Sequence, residues 1–453
     1  MTKSASISRR NLLIGGIAFG ATARVPARAQ PAAPLTLISN VTIFDGLNDA
    51  LIENGSVLVE GQFISAVSRE AIVAPDAMQI DGGGRTLTPG LIDSHQHIML
   101  GPTTDPLRAV LSETIYTTAY SAIPQAKKLI DMGVTSIRDL GGPSIELGRA
   151  IDAGHIDGPR IMSAGHFVGA TAGHGDFGGF RYLGGTEALN SDANRALTSG
   201  WSILADGPSD VRWAVRTALA NGSAYIKVMA GGGVASVKDP LESVGYSENE
   251  FRAAVEAAAD YDTYVACHAY NDESVQRMIR AGVADNVHGH LMSEETVAMM
   301  GEAGMWLSSL SNPVGLMDVP FFTDENRRKA AEVINGYEQV MGWAKQYGVK
   351  IGWGTDAASS MLDTVLLEFQ QRSPFFTPTE MLKQATSANG QLFELARSRN
   401  PYRAAKLGVI EEGAWADMLL YNGNPTEDIG VVIDYKNTLD LIMKDGKVHM
   451  SKF

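Results

Sequence analysis

From Leu35 the chain alternates apolar and polar residues in short runs, with the period-two spacing of half-buried strands. Residues 37–44 form one run, closed by Asp45-Gly46, and residues 56–64 read as a hairpin turning at Glu60-Gly61. The same texture returns over 416–421 and 441–448, the second run broken by Asp445-Gly446. Between these ends the pattern changes. Eight mostly apolar runs lie at 91–98, 134–140, 160–165, 225–230, 264–268, 286–290, 305–310 and 350–356. Segments with helical spacing separate them, for example 248–261 and 272–281. Eight alternating strand–helix units over about 300 residues predict an α/β chain folded as a (β/α)8 TIM-like barrel, not an open doubly wound sheet. The two β segments would each leave strand edges unpaired, so they are expected to join as one small discontinuous β-sandwich. The expected divisions are a targeting segment (1–29), the N-terminal part of the sandwich (30–88), the barrel (89–398) and the C-terminal part of the sandwich (399–453). The glycine-rich stretch 169–207 reads as an elaborated loop after strand three, with a helical piece near 187–197.

The first 29 residues follow neither pattern. Ser8-Arg9-Arg10-Asn11-Leu12-Leu13 puts a twin arginine before an apolar stretch ending at Phe19, and Ala27-Arg28-Ala29 offers a small-x-small cleavage site before Gln30. This predicts a twin-arginine export signal and a periplasmic mature protein. The apolar stretch is too short to span a bilayer, and no later run is long enough for a transmembrane helix in the mature chain.

Composition narrows the class. The 453 residues are 45% apolar and 19% charged, as a compact chain with a sizeable core requires. A net charge of −14 argues against general nucleic-acid binding, which needs basic surface. The one cysteine, Cys267, cannot form a disulfide within the chain and reads as a small core residue. Gly231-Gly232-Gly233 lacks the spacing of a dinucleotide fingerprint. The expected partner is a small molecule, and a homo-oligomer is expected.

The chemistry sits at the ends of the apolar runs. His95 and His97 stand two apart, so a strand presents both to one side, half of a metal site. Barrel enzymes place catalytic groups at the C-terminal strand ends. In order, those ends carry His95 and His97, then Lys227, then His268, then His288-Gly289-His290, then Gly354-Thr355-Asp356. Four imidazoles can hold two divalent ions if something bridges them. A lysine in an apolar strand is costly as an ammonium, and burial lowers its pKa. Its amine can then add carbon dioxide, and the carbamate is a bridging oxygen ligand. Two metals about 3.5–4 Å apart can share a hydroxide and polarise a carbonyl. Asp356 would bind one metal and carry the proton from water to the leaving amine. Alternation points both His288 and His290 to one side, and His288 is favoured.

These residues resemble the amidohydrolase superfamily, and within it metal-dependent hydrolases such as Xaa-Pro dipeptidases (prolidases), imidazolonepropionase-like proteins and ochratoxin-hydrolysing amidases. The motifs are Thr88-Pro89-Gly90-Leu91-Ile92-Asp93-Ser94-His95-Gln96-His97, Ile226-Lys227-Val228, Cys267-His268-Ala269-Tyr270, His288-Gly289 and Gly354-Thr355-Asp356. Gly413-Ala414-Trp415-Ala416-Asp417-Met418-Leu419 resembles the return into the β domain. The resemblance implies two divalent ions, zinc by default, with His95, His97 and Asp356 on the buried one. It further implies a carboxylated Lys227 as bridge, and His268 and His288 on the second ion. Asn286-Val287 stand where the resembling proteins carry Ile-Glu. The loop Thr171-Ala172-Gly173-His174-Gly175-Asp176 implies a substrate-side role for His174, and Tyr270 is expected to stabilise the oxyanion. No role falls to His155, His166 or His449. The expected reaction is hydrolysis of an amide bond, peptide-like or of an N-acyl amino acid or aryl amide. A mononuclear deaminase or cyclic-amide hydrolase is the alternative, and a non-catalytic periplasmic binding protein is a third reading.

Overall fold

The computed structural model describes residues 33–453 apart from 102–108, 111–112, 177–199, 237–238, 310–316, 318, 320–321 and 358. Residues 34–453 form one compact unit. The export signal and the helical piece near 187–197 lie outside the described residues.

Both chain ends build one sheet. Its N-terminal strands are β1 (Leu35–Ile43), β2 (Ile52–Glu60), β3 (Phe63–Ser68), β4 (Met78–Asp81) and β5 (Thr86–Pro89). The barrel-type strands that follow are β6 (Leu91–Gln96), β7 (Val134–Asp139), β8 (Arg160–Ser163), β9 (Phe167–Gly169), β10 (Ser202–Leu204), β11 (Ile226–Met229), β12 (Val265–His268), β13 (Asp285–Asn286), β14 (Trp306–Leu307) and β15 (Lys350–Ile351). The C-terminal strands are β16 (Met418–Tyr421), β17 (Leu439–Lys444) and β18 (Lys447–Ser451). The terminal strands line up as β18-β17-β16-β5-β1-β2-β3, with β4 beside β1. The two ends meet where β16 pairs antiparallel with β5, Met418 opposite Pro89. Ile38, Val41, Val57, Leu87, Leu420 and Leu441 are buried on it. The expected sandwich is thus, among the described residues, a single hydrogen-bonded sheet of eight strands.

The core strands are parallel. One sheet runs β6-β7-β8, another β10-β9-β11-β12-β13-β14-β15. Each of the eight apolar runs contains or overlaps a strand, and every one of these strands is shorter than its run. Strand three departs from expectation. After β8 it bends and continues as β9, which pairs with β11, so the predicted loop 169–207 begins in a strand and also contains β10. The two parallel sheets are connected at both sides. Ser94 donates its amide to the Trp353 carbonyl (3.0 Å), Asp356 to that of His95 (2.7 Å) and Ala224 to that of Ser163 (2.9 Å).

Local sequence sets the helix ends. Ser247 and Glu250 form a capping box before Glu248–Ala259, and Asn271 caps Asp272–Ala281 through the Ser274 amide (3.0 Å). That helix stops at Gly282, whose φ of +86° suits a left-handed cap. Among the described residues no helix is long and apolar enough to cross a membrane.

Candidate metal centre

His95 lies at the end of β6 and is 1% exposed. The carboxylate of Asp93 fixes the turn around it, accepting from the His95 amide (3.0 Å), the Gln96 side chain, the Thr355 amide (3.2 Å) and the Thr355 hydroxyl (2.6 Å). One buried side chain thereby ties strand one to the strand-eight turn that carries Asp356. Burial pushes Asp93 up to about 7 despite those hydrogen bonds. The two segments touch so closely that a Cβ on Gly354 would lie 2.9 Å from the His95 Cβ.

Asp356 Oδ1 lies 3.2 Å from His95 Nε2 and 3.4 Å from His97 Nε2. Burial acts to raise its pKa, but the imidazoles of His95 and His97 and the nearby Lys227 outweigh that and hold the carboxyl well below the usual range. His97 Nδ1 is 3.2 Å from the Gly141 carbonyl. A carbonyl only accepts, so Nδ1 carries the hydrogen and Nε2 the lone pair. Burial drives His97 down to about 4 against the pull of Asp356, so the ring holds one proton at neutral pH. A nitrogen lone pair therefore faces a carboxylate oxygen across 3.4 Å. Two acceptors at this distance call for a cation between them.

The same reasoning applies to His268. Its Nε2 lies 3.0 Å from the Gly232 carbonyl, so Nδ1 is its acceptor nitrogen. Its ring centroid is 4.2 Å from that of His288, which lies 5.1 Å from that of His95. Burial holds both His268 and His288 well below the ordinary imidazole value. Ligand atoms of His95, His288 and Asp356 all lie within 4.8 Å of one another. His290 is outside this group. Its ring sits 6.1 Å from that of His288, beside Tyr270 and Tyr337.

Lys227 is 1% exposed on β11, between Ile226 and Val228. Burial lowers it to about 7, with Asp356 opposing and Arg138 assisting. Its charge bears on His95, His97, His268, His288 and Asp356 alike. Cys267 beside His268 is fully buried, and burial raises its thiol, as expected of a core residue.

The two substrate-side candidates also come here. His174 stacks on His268 with centroids 4.4 Å apart, and its Nδ1 contacts Asp239 (3.0 Å) and Ser236 (3.2 Å). Tyr270 packs against His288, centroids 4.8 Å apart, and burial keeps its hydroxyl protonated far above neutrality.

Sequence reasoning missed the supports. Asp93 belongs to the first motif itself. Arg138 and Asp285 pair at 2.6 Å with no exposure, Arg138 inside the apolar run 134–140 and Asp285 just ahead of the run 286–290. A charge in or beside such a run was their only signal. Nothing local marks Asp239.

The amidohydrolase family profile matches residues 86–449. The chain belongs to the amidohydrolase family. It is an enzyme of the hydrolase class, acting on carbon–nitrogen bonds. Ochratoxinase of Aspergillus niger is 29% identical over 428 residues, 92% of this chain and 87% of that protein. A crystal structure of a prolidase complexed with N-methylphosphonate-L-proline superposes with a TM-score of 0.83 at 30% identity, covering 92% of this chain and 100% of that one. A crystal structure of a Xaa-Pro dipeptidase with methionine in its active site gives 0.80 at 29% identity, with the same coverage.

Proposed function

We propose that this amidohydrolase is a binuclear metal enzyme that hydrolyses an amide bond in a small molecule, peptide-like or of an N-acyl amino acid or aryl amide. The observation that carries this reading is the His97 lone pair facing the Asp356 carboxylate, with ligand atoms of buried His95 and His288 within reach of Asp356, His268 against His288, and the charge of buried Lys227 acting on them. His95, His97 and Asp356 would hold one ion, His268 and His288 the other, and a carboxylated Lys227 would bridge them. Zinc suits this nitrogen–oxygen ligand set, with manganese, cobalt or iron as alternatives. Two such ions, when bound, lower the pKa of a shared water and polarise the scissile carbonyl.

The chain's own groups do the rest. Water adds to the carbonyl carbon, and Asp356 accepts its proton. The carbon–nitrogen bond then breaks, and Asp356 returns the proton to the leaving nitrogen. Tyr270, protonated in its buried setting, donates to the developing oxyanion. His174, anchored to Asp239, offers its Nε2 to the substrate. The hydrogen bonds linking β6 to the segment after β15, and β8 to the segment before β11, support a closed (β/α)8 barrel around this site. Residues 1–29 fit export to the periplasm as a twin-arginine substrate.

The test is a hydrolysis screen on metal-loaded protein with Xaa-Pro dipeptides, N-acyl amino acids, ochratoxin-like amides, anilides and phenylureas, together with metal analysis. Turnover of an amide with about two ions per chain is expected. About one ion per chain, with deamination or ring opening instead, would replace this reading with the mononuclear one.

A further inference from the structure

Lys329 lies far in sequence from every residue of the centre, on the helix Asp324–Gln346, and is 1% exposed. Its ammonium has three hydrogens and meets three backbone carbonyls, of Gly233 (3.1 Å), Ser236 (2.9 Å) and Asp239 (2.6 Å). Among the described residues no carboxylate lies at ion-pair distance from it, so its hydrogens go to carbonyls, while Asp239, Glu325 and Glu242 act on its charge from farther off. One helical turn earlier, Asn326 donates to the carbonyls of Val234 (2.6 Å) and Ser236 (3.3 Å). All five bonds go to the loop that follows β11.

That loop reaches the centre at two points. The Gly232 carbonyl accepts from His268 Nε2, which fixes the tautomer that leaves Nδ1 as acceptor. Asp239 accepts from the Gly233 amide (2.7 Å), contacts His174 Nδ1 (3.0 Å) and accepts from the Ser236 hydroxyl. The His174 ring lies so close to the loop backbone that a Cβ on Gly233 would fall 2.0 Å from it. One stacked face of the site, His174 on His268, therefore rests on a loop held by Lys329.

We propose that Lys329 is a positioning residue, which sets the tautomer of His268 and the placement of His174 by clamping the loop 231–236 and Asp239. The catalytic meaning of both histidines rests on the function proposed above, whereas the clamp itself does not. The experiment compares Lys329→Met and Lys329→Arg with wild type in the full chain. Metal-stripped protein is followed by amide hydrogen exchange and by imidazole ¹⁵N signals, and protein titrated with cobalt alone by its visible absorption. In Lys329→Met, loop exchange should quicken at least tenfold while β11 and β12 stay protected. The His268 Nε2–H signature should be lost and the cobalt band altered, and Lys329→Arg should restore part of each. Asn326→Ala, which loosens the same loop from the neighbouring side chain, should give the same changes in weaker form and serves if Lys329→Met fails to fold. A loosened loop with wild-type imidazole signals overturns the proposal, and so does an unloosened loop. Wild-type protein that takes up no cobalt and cleaves no amide overturns the binuclear amide-hydrolysis reading instead, and the metal-free signals still decide the clamp.

Discussion

Lys227 is an amine placed where an ammonium is costly. Burial lowers it to about 7 from 10.5, so the unfolded chain binds the extra proton above that point. Metal-stripped protein should therefore gain stability from this residue as pH rises from about 7 to about 9, and lose it on acidification. Above that range the buried Cys267 thiol, whose pKa is raised, acts in the opposite sense. Thermal melts across this range check the sign. The same amine, neutral above 7, is the form that adds carbon dioxide, so Lys227→Ala should be folded but inactive, and short carboxylic acids should restore part of its turnover. Full activity in metal-replete Lys227→Ala would eliminate a carbamate role. For Asp356→Asn, loss of the proton carrier should lower kcat by about 10²–10⁴. A steady-state assay on the best substrate of the screen measures it.

At the scale of elements, the strand ends were the readable part. His95, His97, Lys227, His268, His288 and Asp356 each close or interrupt an apolar run, and the fold collects them at one place. Less was legible where pairing depends on distant segments. Strand three looked like one run followed by a loop, but the chain bends after β8 and β9 takes the place beside β11. No local pattern encodes that, because the deciding partner lies some sixty residues on, at Val228. Arg138 on β7 and Asp285 on β13 were likewise hidden, Arg138 beside Asp139 in an apolar run and Asp285 just ahead of one. Their pair is fully buried, and Arg138 also donates to the Ser94 carbonyl (2.7 Å) and the Tyr264 hydroxyl (3.1 Å). Arg138→Met leaves Asp285 charged and unpaired, and should cost about 3–5 kcal/mol. Arg138→Met with Asp285→Leu should cost less than Arg138→Met alone, which denaturant unfolding of both variants would establish.

At the scale of the molecule, the bound ions should stabilise the fold as well as supply chemistry. Metal at 100 times its dissociation constant adds about 2.7 kcal/mol if it binds only the native state. Chelation should therefore lower Tm and abolish hydrolysis together, and readdition of zinc should restore both. Unchanged Tm on complete metal removal would mean that these residues bind no ion tightly in the native state. The substrate is the least legible property at this scale. It depends on strand-end loops, whose shapes are set by packing between segments rather than by any local pattern.

The pairing of β16 with β5 joins residues about 330 positions apart, and only Gly90 separates β5 from β6. On a ribosome, β5 can find β1 early, but its other edge stays open until Met418–Tyr421 has emerged. The strand bearing His95 thus gains this anchor only when that distant segment has been made. A nascent chain stalled short of Met418 should therefore hold ions poorly however complete its histidines are.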